Sequence, residues 1–135
     1  MGLRFTGTER DILTAYSDAD WAGNADEQKS ISGYVLTMSS SAVCWKSKKQ
    51  TIVALSTAEA EYVDLSFTTQ EVTWLKKLLS YLGEDLSRST NIHKDNQSSI
   101  AIATYPVNHN RYFLISYLNS LLYAWLIFSC FFCTN

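Results

Sequence analysis

A long helix signal in the middle of the chain constrains the fold more than any other feature. Ser56 and Glu59 have the spacing of a capping box, in which the serine side chain bonds the N3 amide and the glutamate bonds back to the cap. Gly83 is a suitable C-terminal stop. Between them, residues at spacings of three and four form one largely apolar stripe: Leu65, Thr68, Val72, Leu75, Leu79 and Leu82. The pattern predicts one long helix with a buried face.

Strand-like segments flank this helix. Residues 12–18, 31–38 and 42–48 are rich in apolar and β-branched residues and are separated by short polar turns, which predicts an antiparallel meander. After the helix, residues 90–94 predict a short strand, and residues 96–104 predict a second helix that stops before Pro106. The predicted order is βββαβα, an α/β chain with a mixed α+β sheet.

Composition sets the broad class. A chain of 135 residues with 47% hydrophobic and 18% charged residues is predicted to form one globular domain with a modest core. The three cysteines lack the paired spacing of a zinc site or a disulfide framework, so we expect a reducing, intracellular location in cytoplasm or nucleus. The net charge of −2 gives no global attraction to nucleic acid, so any such contact needs a local patch.

The charged residues end abruptly. All of them lie in residues 1–112, and residues 113–135 carry none. We therefore predict a domain over 1–112 and a separate apolar tail over 113–135. The tail has three interpretations: unselected sequence acquired by truncation and prone to aggregate, which we favour; a membrane segment, because it exceeds the roughly 20 residues that span a bilayer; or a helix that completes the core.

Acidic residues lie near three predicted element ends, where metal-bound carboxylates could act on a phosphodiester. Glu59 and Glu61 point about 200° apart on a helix, so they cannot do the same job. Glu59 has a sufficient role as a cap. Glu61 continues the buried stripe toward the sheet, so if one of the two binds metal, geometry selects Glu61.

The other acidic segments leave alternatives open. Asp18 and Asp20 are two residues apart near a strand end and would share a face if the strand continued. For Asp20 we favour a role in the departing turn. Asp95 directly precedes the second predicted helix, where an N-cap role is common and is compatible with metal binding.

Seven segments in order resemble the ribonuclease H domain of copia-type retrotransposon Pol polyproteins, over roughly residues 2–111. They are YSDADWAG at 16–23, KSISGY at 29–34, WKSKKQ at 45–50, STAEAEY at 56–62, QEVTWL at 70–75, KDNQ at 94–97 and PVNHNR at 106–111. The resemblance implies a ribonuclease H-like fold and an upstream reverse transcriptase domain.

The same resemblance implies a function. It assigns catalysis and metal binding to Asp18, Glu61 and Asp95, which would hold two Mg²⁺ or Mn²⁺ ions and hydrolyse the RNA strand of an RNA–DNA hybrid. His109 matches a family histidine near the active site, although a solvated loop histidine is the more common case.

Contacts to the hybrid have several candidates. The best local patch is the lysine run Lys46, Lys48 and Lys49, although such runs also serve as solvated strand edges that block aggregation. The polar turn residues Asn24 and Gln97 could also contact phosphates.

The resemblance fails after Arg111. The family continues with a segment that ends in a fourth metal-binding acid, whereas no Asp or Glu follows here. We therefore expect a fold that is incomplete at its C-terminus through truncation or a frameshift, a weakly held second ion, and little or no turnover. The alternative is a non-catalytic remnant that binds nucleic acid or a partner, or associates with a membrane through its tail.

Overall fold

The computed structural model describes residues 2–3, 13–24, 28–84 and 89–104. Three strands come first, followed by a long helix, a short strand and a second helix. Their bounds are β1 (Leu13–Asn24), β2 (Lys29–Met38), β3 (Ser41–Lys49), α1 (Thr57–Tyr81), β4 (Asn91–His93) and α2 (Gln97–Thr104). The predicted order βββαβα is confirmed.

The strands form one mixed sheet in the order β3-β2-β1-β4. β1 and β2 are antiparallel, as are β2 and β3, so the predicted meander is confirmed. β4 pairs in parallel with β1. A parallel neighbour needs a crossover connection, and α1 lies in that connection between β3 and β4.

Side chains alternate between the two faces of the sheet. Ala15, Leu36 and Ile92 are buried on the face that α1 covers, which we call the helix face. Tyr16 and Val35 are paired on the opposite face and are 49% and 38% exposed. We call this the open face.

The core lies between α1 and the helix face. It consists of Leu13, Ala15, Tyr34, Leu36, Leu65, Val72, Leu75 and Ile92. The predicted helical stripe is confirmed from Leu65 to Leu75, and Leu79 packs partly buried against the core. The prediction is wrong at Leu82, which is 71% exposed because α1 has already ended at Tyr81.

Side-chain and backbone bonds close the N-terminus of α1. The Ser56 hydroxyl accepts the N–H of Glu59 at 3.2 Å, which confirms Ser56 as the N-cap. The buried Glu59 carboxylate accepts the N–H of Leu55 at 2.7 Å, one residue before the position that a capping box uses. Glu59 thus serves the helix start, as predicted, through a different amide.

Glycine ends α1. Gly83 has φ +92°, a backbone conformation that disfavours residues with a Cβ. Its N–H donates to the carbonyl of Ser80 at 3.1 Å, and the N–H of Glu84 donates to the carbonyl of Leu79 at 3.0 Å. This pair of bonds is a Schellman motif, and the predicted stop is confirmed.

β1 is longer than the sequence predicts. Pairing with β2 continues to Asp20, opposite Ile31, and shifts register only between Asp20 and Asn24. The Trp21 indole N–H donates to the carbonyl of Ala54 at 3.1 Å, which ties this end of the strand to the segment before α1. The turn role predicted for Asp20 is therefore wrong, because the strand becomes irregular after Asp20 instead of ending there.

Some predictions fall outside the described residues. These are the His109 site, the apolar tail over 113–135 and the domain boundary at 112, and all three stay predictions. Within the part of the chain that the structure describes, no helix combines the length and apolar character needed to cross a membrane.

The N-cap gives a direct test of the helix start. Ser56→Ala removes the acceptor for the Glu59 amide, so we expect a loss of about 1 kcal/mol in the free energy of unfolding. Urea denaturation followed by circular dichroism measures it. The matched control is Thr57→Ala at the exposed neighbouring position, where stability should not fall. Equal losses in the two variants would contradict the capping role.

Candidate metal site

Three carboxylates from separate elements converge beside the middle of β1, just past the end of β4. Asp18 lies on β1, Glu61 on α1, and Asp95 follows β4. One carboxylate oxygen of each lies within 4.8 Å of the others. Asp18 and Asp95 are exposed, and Glu61 is buried. The structure thus brings together the three residues that the sequence selects as metal ligands.

The register of the sheet explains how the two aspartates meet. Tyr16 on β1 lies opposite His93 on β4, and their rings stack with centroids 5.0 Å apart. Two residues further along each parallel chain come Asp18 and Asp95. Asp18 thus follows the last paired position by two residues on β1, Asp95 follows it by two residues after β4, and both line the groove on the open face.

Glu61 reaches the cluster from the first turns of α1. Gln50, at the end of β3, anchors this part of the helix to the sheet. Its side-chain amide donates to the carbonyl of Ala60 at 2.8 Å and to the Ser32 hydroxyl at 2.9 Å. Since Gln50 is 2% exposed, these bonds are shielded from water and fix the residue that precedes Glu61.

Asp95 is available to the cluster because its neighbour caps the second helix. The Asn96 side-chain oxygen accepts the N–H of Ser99 at 3.0 Å, the bond of an N-cap residue. The sequence left both capping and metal binding open for Asp95. In the structure the cap is Asn96, and the Asp95 carboxylate lies beside Asp18 and Glu61.

A buried lysine adjoins the cluster. The Lys94 side chain is 0% exposed and forms ion pairs with Glu61 and, at 3.5 Å, with Asp64. Its ammonium also donates to the Ser17 hydroxyl at 3.2 Å. Sequence reasoning missed this network. The sequence signal that could have found it is periodicity. Lys94 follows the buried Ile92 by two residues, the repeat of a strand, and Asp64 directly precedes Leu65 in the helical stripe, so both fall at buried positions.

Asp64 is the most deeply buried of these acids, with no exposed surface. Burial raises the pKa of its carboxyl above the ordinary value, while a hydrogen bond from Ser17 and the charge of Lys94 act in the opposite direction. Asp64 does not belong to the three-carboxylate cluster, and its contacts are those of a buried structural partner for Lys94.

The three clustered carboxylates fit a small divalent cation. Mg²⁺ holds oxygen ligands at about 2.1 Å, so opposite ligands lie roughly 4.2 Å apart. Oxygens already within 4.8 Å of one another need only a small closure to reach that spacing. Hard carboxylate oxygens are also the ligands that Mg²⁺ and Mn²⁺ prefer.

An open groove of about 1070 Å³ runs along the open face beside the cluster. Its walls include the acids Asp18 and Asp95, the aromatic rings of Tyr16 and Trp45, and Lys46. Trp45 is 62% exposed. The groove therefore joins the carboxylates to flat aromatic surfaces, and two lysines, Lys46 and Lys94, also border it.

The other residues predicted to contact nucleic acid do not all lie in the groove. Gln97 lines the groove together with Lys46. Pairing with β2 places Lys46 beside Tyr34 and Lys48 beside Ser32, both on the helix-face side of edge strand β3, and Lys49 beside Ile31 on the other side. Lys46 also borders the groove. The lysine run therefore does not form one patch on one face. Asn24 is the last residue of β1.

Comparison with known proteins finds similar sequences for most of the chain. No protein-family model matches the chain. It is 42% identical over 109 residues to the retrovirus-related Pol polyprotein from transposon TNT 1-94 of Nicotiana tabacum, a match that covers 81% of this chain and 8% of that protein. It is 41% identical over 99 residues to the corresponding polyprotein from transposon RE2 of Arabidopsis thaliana, covering 73% of this chain and 7% of that one. The chain is a homologue of copia-type Pol polyproteins.

The match is to a short part of each Pol polyprotein, so the chain spans less than a tenth of the length of those relatives. A similar segment occurs in secreted RxLR effector protein 161 of Plasmopara viticola. That match is 50% identical over 74 residues and covers 55% of this chain and 52% of the effector.

The fold has a counterpart among solved structures. LC11-RNase H1, solved in complex with an RNA/DNA hybrid, superposes with a TM-score of 0.61 at 15% identity, covering 90% of this chain and 83% of that one. The predicted ribonuclease H-like fold and the predicted relation to copia-type Pol sequence are both confirmed.

The raised pKa of Asp64 predicts a pH dependence. An acid that keeps its proton more tightly when folded makes the free energy of unfolding fall as pH rises from about 3.8 through the folded pKa. Asp64→Asn removes this titration. The stability of Asp64→Asn relative to wild type should therefore increase with pH across that range, as measured by urea denaturation at a series of pH values. A difference that stays constant or falls with pH would contradict the raised pKa.

Proposed function

We propose that this chain is a ribonuclease H-like nuclease domain that cleaves the RNA strand of RNA–DNA hybrids with a divalent cation, at a low rate. The observation that carries the proposal is the convergence of Asp18, Glu61 and Asp95 within 4.8 Å on a ribonuclease H-like fold. Homology to Pol polyproteins, which are retrovirus-related, supports a substrate that arises during reverse transcription.

The groove supports a hybrid as the substrate. Tyr16 and Trp45 offer exposed aromatic faces for sugars or bases, and Lys46 offers a charge for a phosphate. All three line the same groove as Asp18 and Asp95, so a strand bound there lies next to the acids. The solved ribonuclease H1 neighbour contains an RNA/DNA hybrid, which supports the same class of ligand here.

The roles of the acids follow from their exposure. A bound divalent cation would act as a Lewis acid, lowering the pKa of a bound water and stabilising negative charge on the phosphate. Asp18 and Asp95 face the open groove and would hold the cation on the substrate side. Glu61 is buried and would hold it from the side of α1, and the Gln50 bonds to the preceding turn limit its movement.

Two features support a low rate. The described cluster holds three carboxylates, and one of them, Glu61, is already paired with Lys94. Residues 96–135 contain no Asp or Glu side chain that could add a fourth carboxylate to the cluster. We therefore propose one bound cation, a more weakly held second cation and slow turnover.

Cleavage of a labelled RNA–DNA hybrid tests the function. With the protein in excess over substrate and Mn²⁺ present, we expect slow cleavage. Asp18→Asn and Asp95→Asn should each reduce the cleavage rate by about 100-fold, because substitutions around a metal site lower activity by up to that factor. The matched control is Glu84→Gln, an exposed acid beyond the end of α1, which should cleave at the wild-type rate. Cleavage that persists in Asp18→Asn would show that another site or a contaminant is responsible.

A second candidate function is binding of a hybrid without cleavage. The exposed Trp45 ring and Lys46 favour it, since neither contact depends on a cation. In this case the chain would protect or position a hybrid and would do so equally well in the presence of a chelator.

Binding in EDTA measures this property directly. Lys46→Gln should weaken hybrid binding and lower the salt slope of the association constant by about one, as expected for the loss of one phosphate contact. Lys77→Gln, an exposed lysine on α1, is the control for net charge and should keep the wild-type slope. An unchanged slope in Lys46→Gln would remove Lys46 from the interface.

A further inference from the structure

We propose that Lys94 is a built-in counterion of the carboxylate cluster, and that its ammonium competes with divalent cations for Glu61. The proposal rests on the metal site proposed above. It adds that this chain carries, in its own sequence, a group that limits how tightly the site binds a metal.

The contacts fix the ammonium in one place. Lys94 pairs with Glu61 and with Asp64 and donates to the hydroxyl of Ser17 at 3.2 Å and to its carbonyl at 3.5 Å. An ammonium has three donors, which match its three hydrogen-bond acceptors, the Ser17 hydroxyl, the Ser17 carbonyl and Asp64, while Glu61 is an ion-pair partner. The side chain is 0% exposed, so it cannot swing into water without giving up a buried position.

The charges explain why the lysine opposes a metal. Asp18, Glu61 and Asp95 form the cluster, and Lys94 places a positive charge directly on Glu61. A divalent cation bound to the same carboxylate would lie close to this ammonium, and two like charges at short range in a poorly solvated site repel strongly. Metal binding must therefore either share Glu61 against that repulsion or proceed with Asp18 and Asp95 alone.

Asp64 keeps the lysine in position. It is fully buried, and Ser17 and Lys94 are its hydrogen-bond partners. Removing the ammonium alone would leave Asp64 as a buried charge without compensation, which is strongly destabilising. Removing Lys94 and Asp64 together avoids this cost, so the double variant separates the effect on metal binding from the effect on folding.

The test is to titrate the full chain with Mn²⁺ and to measure the Mn²⁺ affinity by calorimetry. The proteins compared are wild type, Lys94→Met, Lys94→Met/Asp64→Ala and Asp64→Ala. Circular dichroism checks that each variant is folded. We expect Lys94→Met/Asp64→Ala to bind Mn²⁺ roughly 10-fold more tightly than wild type, on the scale by which groups around a metal alter its affinity. Asp64→Ala, which keeps the lysine and loses a negative charge, should bind no more tightly than wild type.

Lys77→Met controls for the loss of one positive charge. Residue 77 lies 16 positions after Glu61 on α1, roughly 24 Å along the helix at 1.5 Å per residue. The Mn²⁺ affinity of Lys77→Met should equal that of wild type. Tighter binding in Lys77→Met of the size seen in the double variant would assign the effect to net charge and overturn the proposal.

The remaining outcomes separate this proposal from the proposed function. Equal, measurable affinity in wild type and in Lys94→Met/Asp64→Ala would overturn the counterion role and leave the metal site standing. No binding in either folded protein would overturn both, because release of Glu61 would then create no cation site.

Discussion

The parallel pairing of β1 with β4 is the constraint on which the site depends. This register carries Asp18 and Asp95 together on the open face, and it carries Ser17 and Lys94 together on the helix face. One strand pair thus presents two acids to the groove and a buried cation to α1. The helix completes both sets, because Glu61 joins the acids and Asp64 joins the lysine.

Buried charge next to an open acidic cluster is a costly arrangement that good partners must offset. Lys94 and Asp64 are both fully buried, and Ser17 bridges them. These polar contacts lie beside the cluster, near the start of α1, whereas the apolar core extends further along the helix, to Val72 and Leu75. The charge network therefore lies beside the acids, whereas the apolar core supplies the hydrophobic contact between α1 and the sheet.

Much of the fold follows from local signals, and the site follows from them only in part. The Ser56 cap, the Gly83 stop and the stripe to Leu75 are properties of neighbouring residues, so sequence predicts them. The extent of β1 past Asp20 was missed because the Trp21 bond to Ala54 joins distant segments. The three ligands were selected by resemblance and by helix geometry. The Lys94–Asp64 pair was not, since the phase of each residue signals burial but does not show that the two side chains meet across the sheet and helix.

The most direct test of the convergent site is paramagnetic broadening of backbone amide signals by Mn²⁺ at a small fraction of the protein concentration. The effect falls steeply with distance from the bound ion, so it locates the ion without any assay of activity. If Asp18, Glu61 and Asp95 form one site, amides flanking all three should broaden together, while those near Tyr81 at the far end of α1 stay sharp. Broadening around only one of the three acids, or around an acid elsewhere such as Glu84, would contradict the convergence of the three segments on one cation.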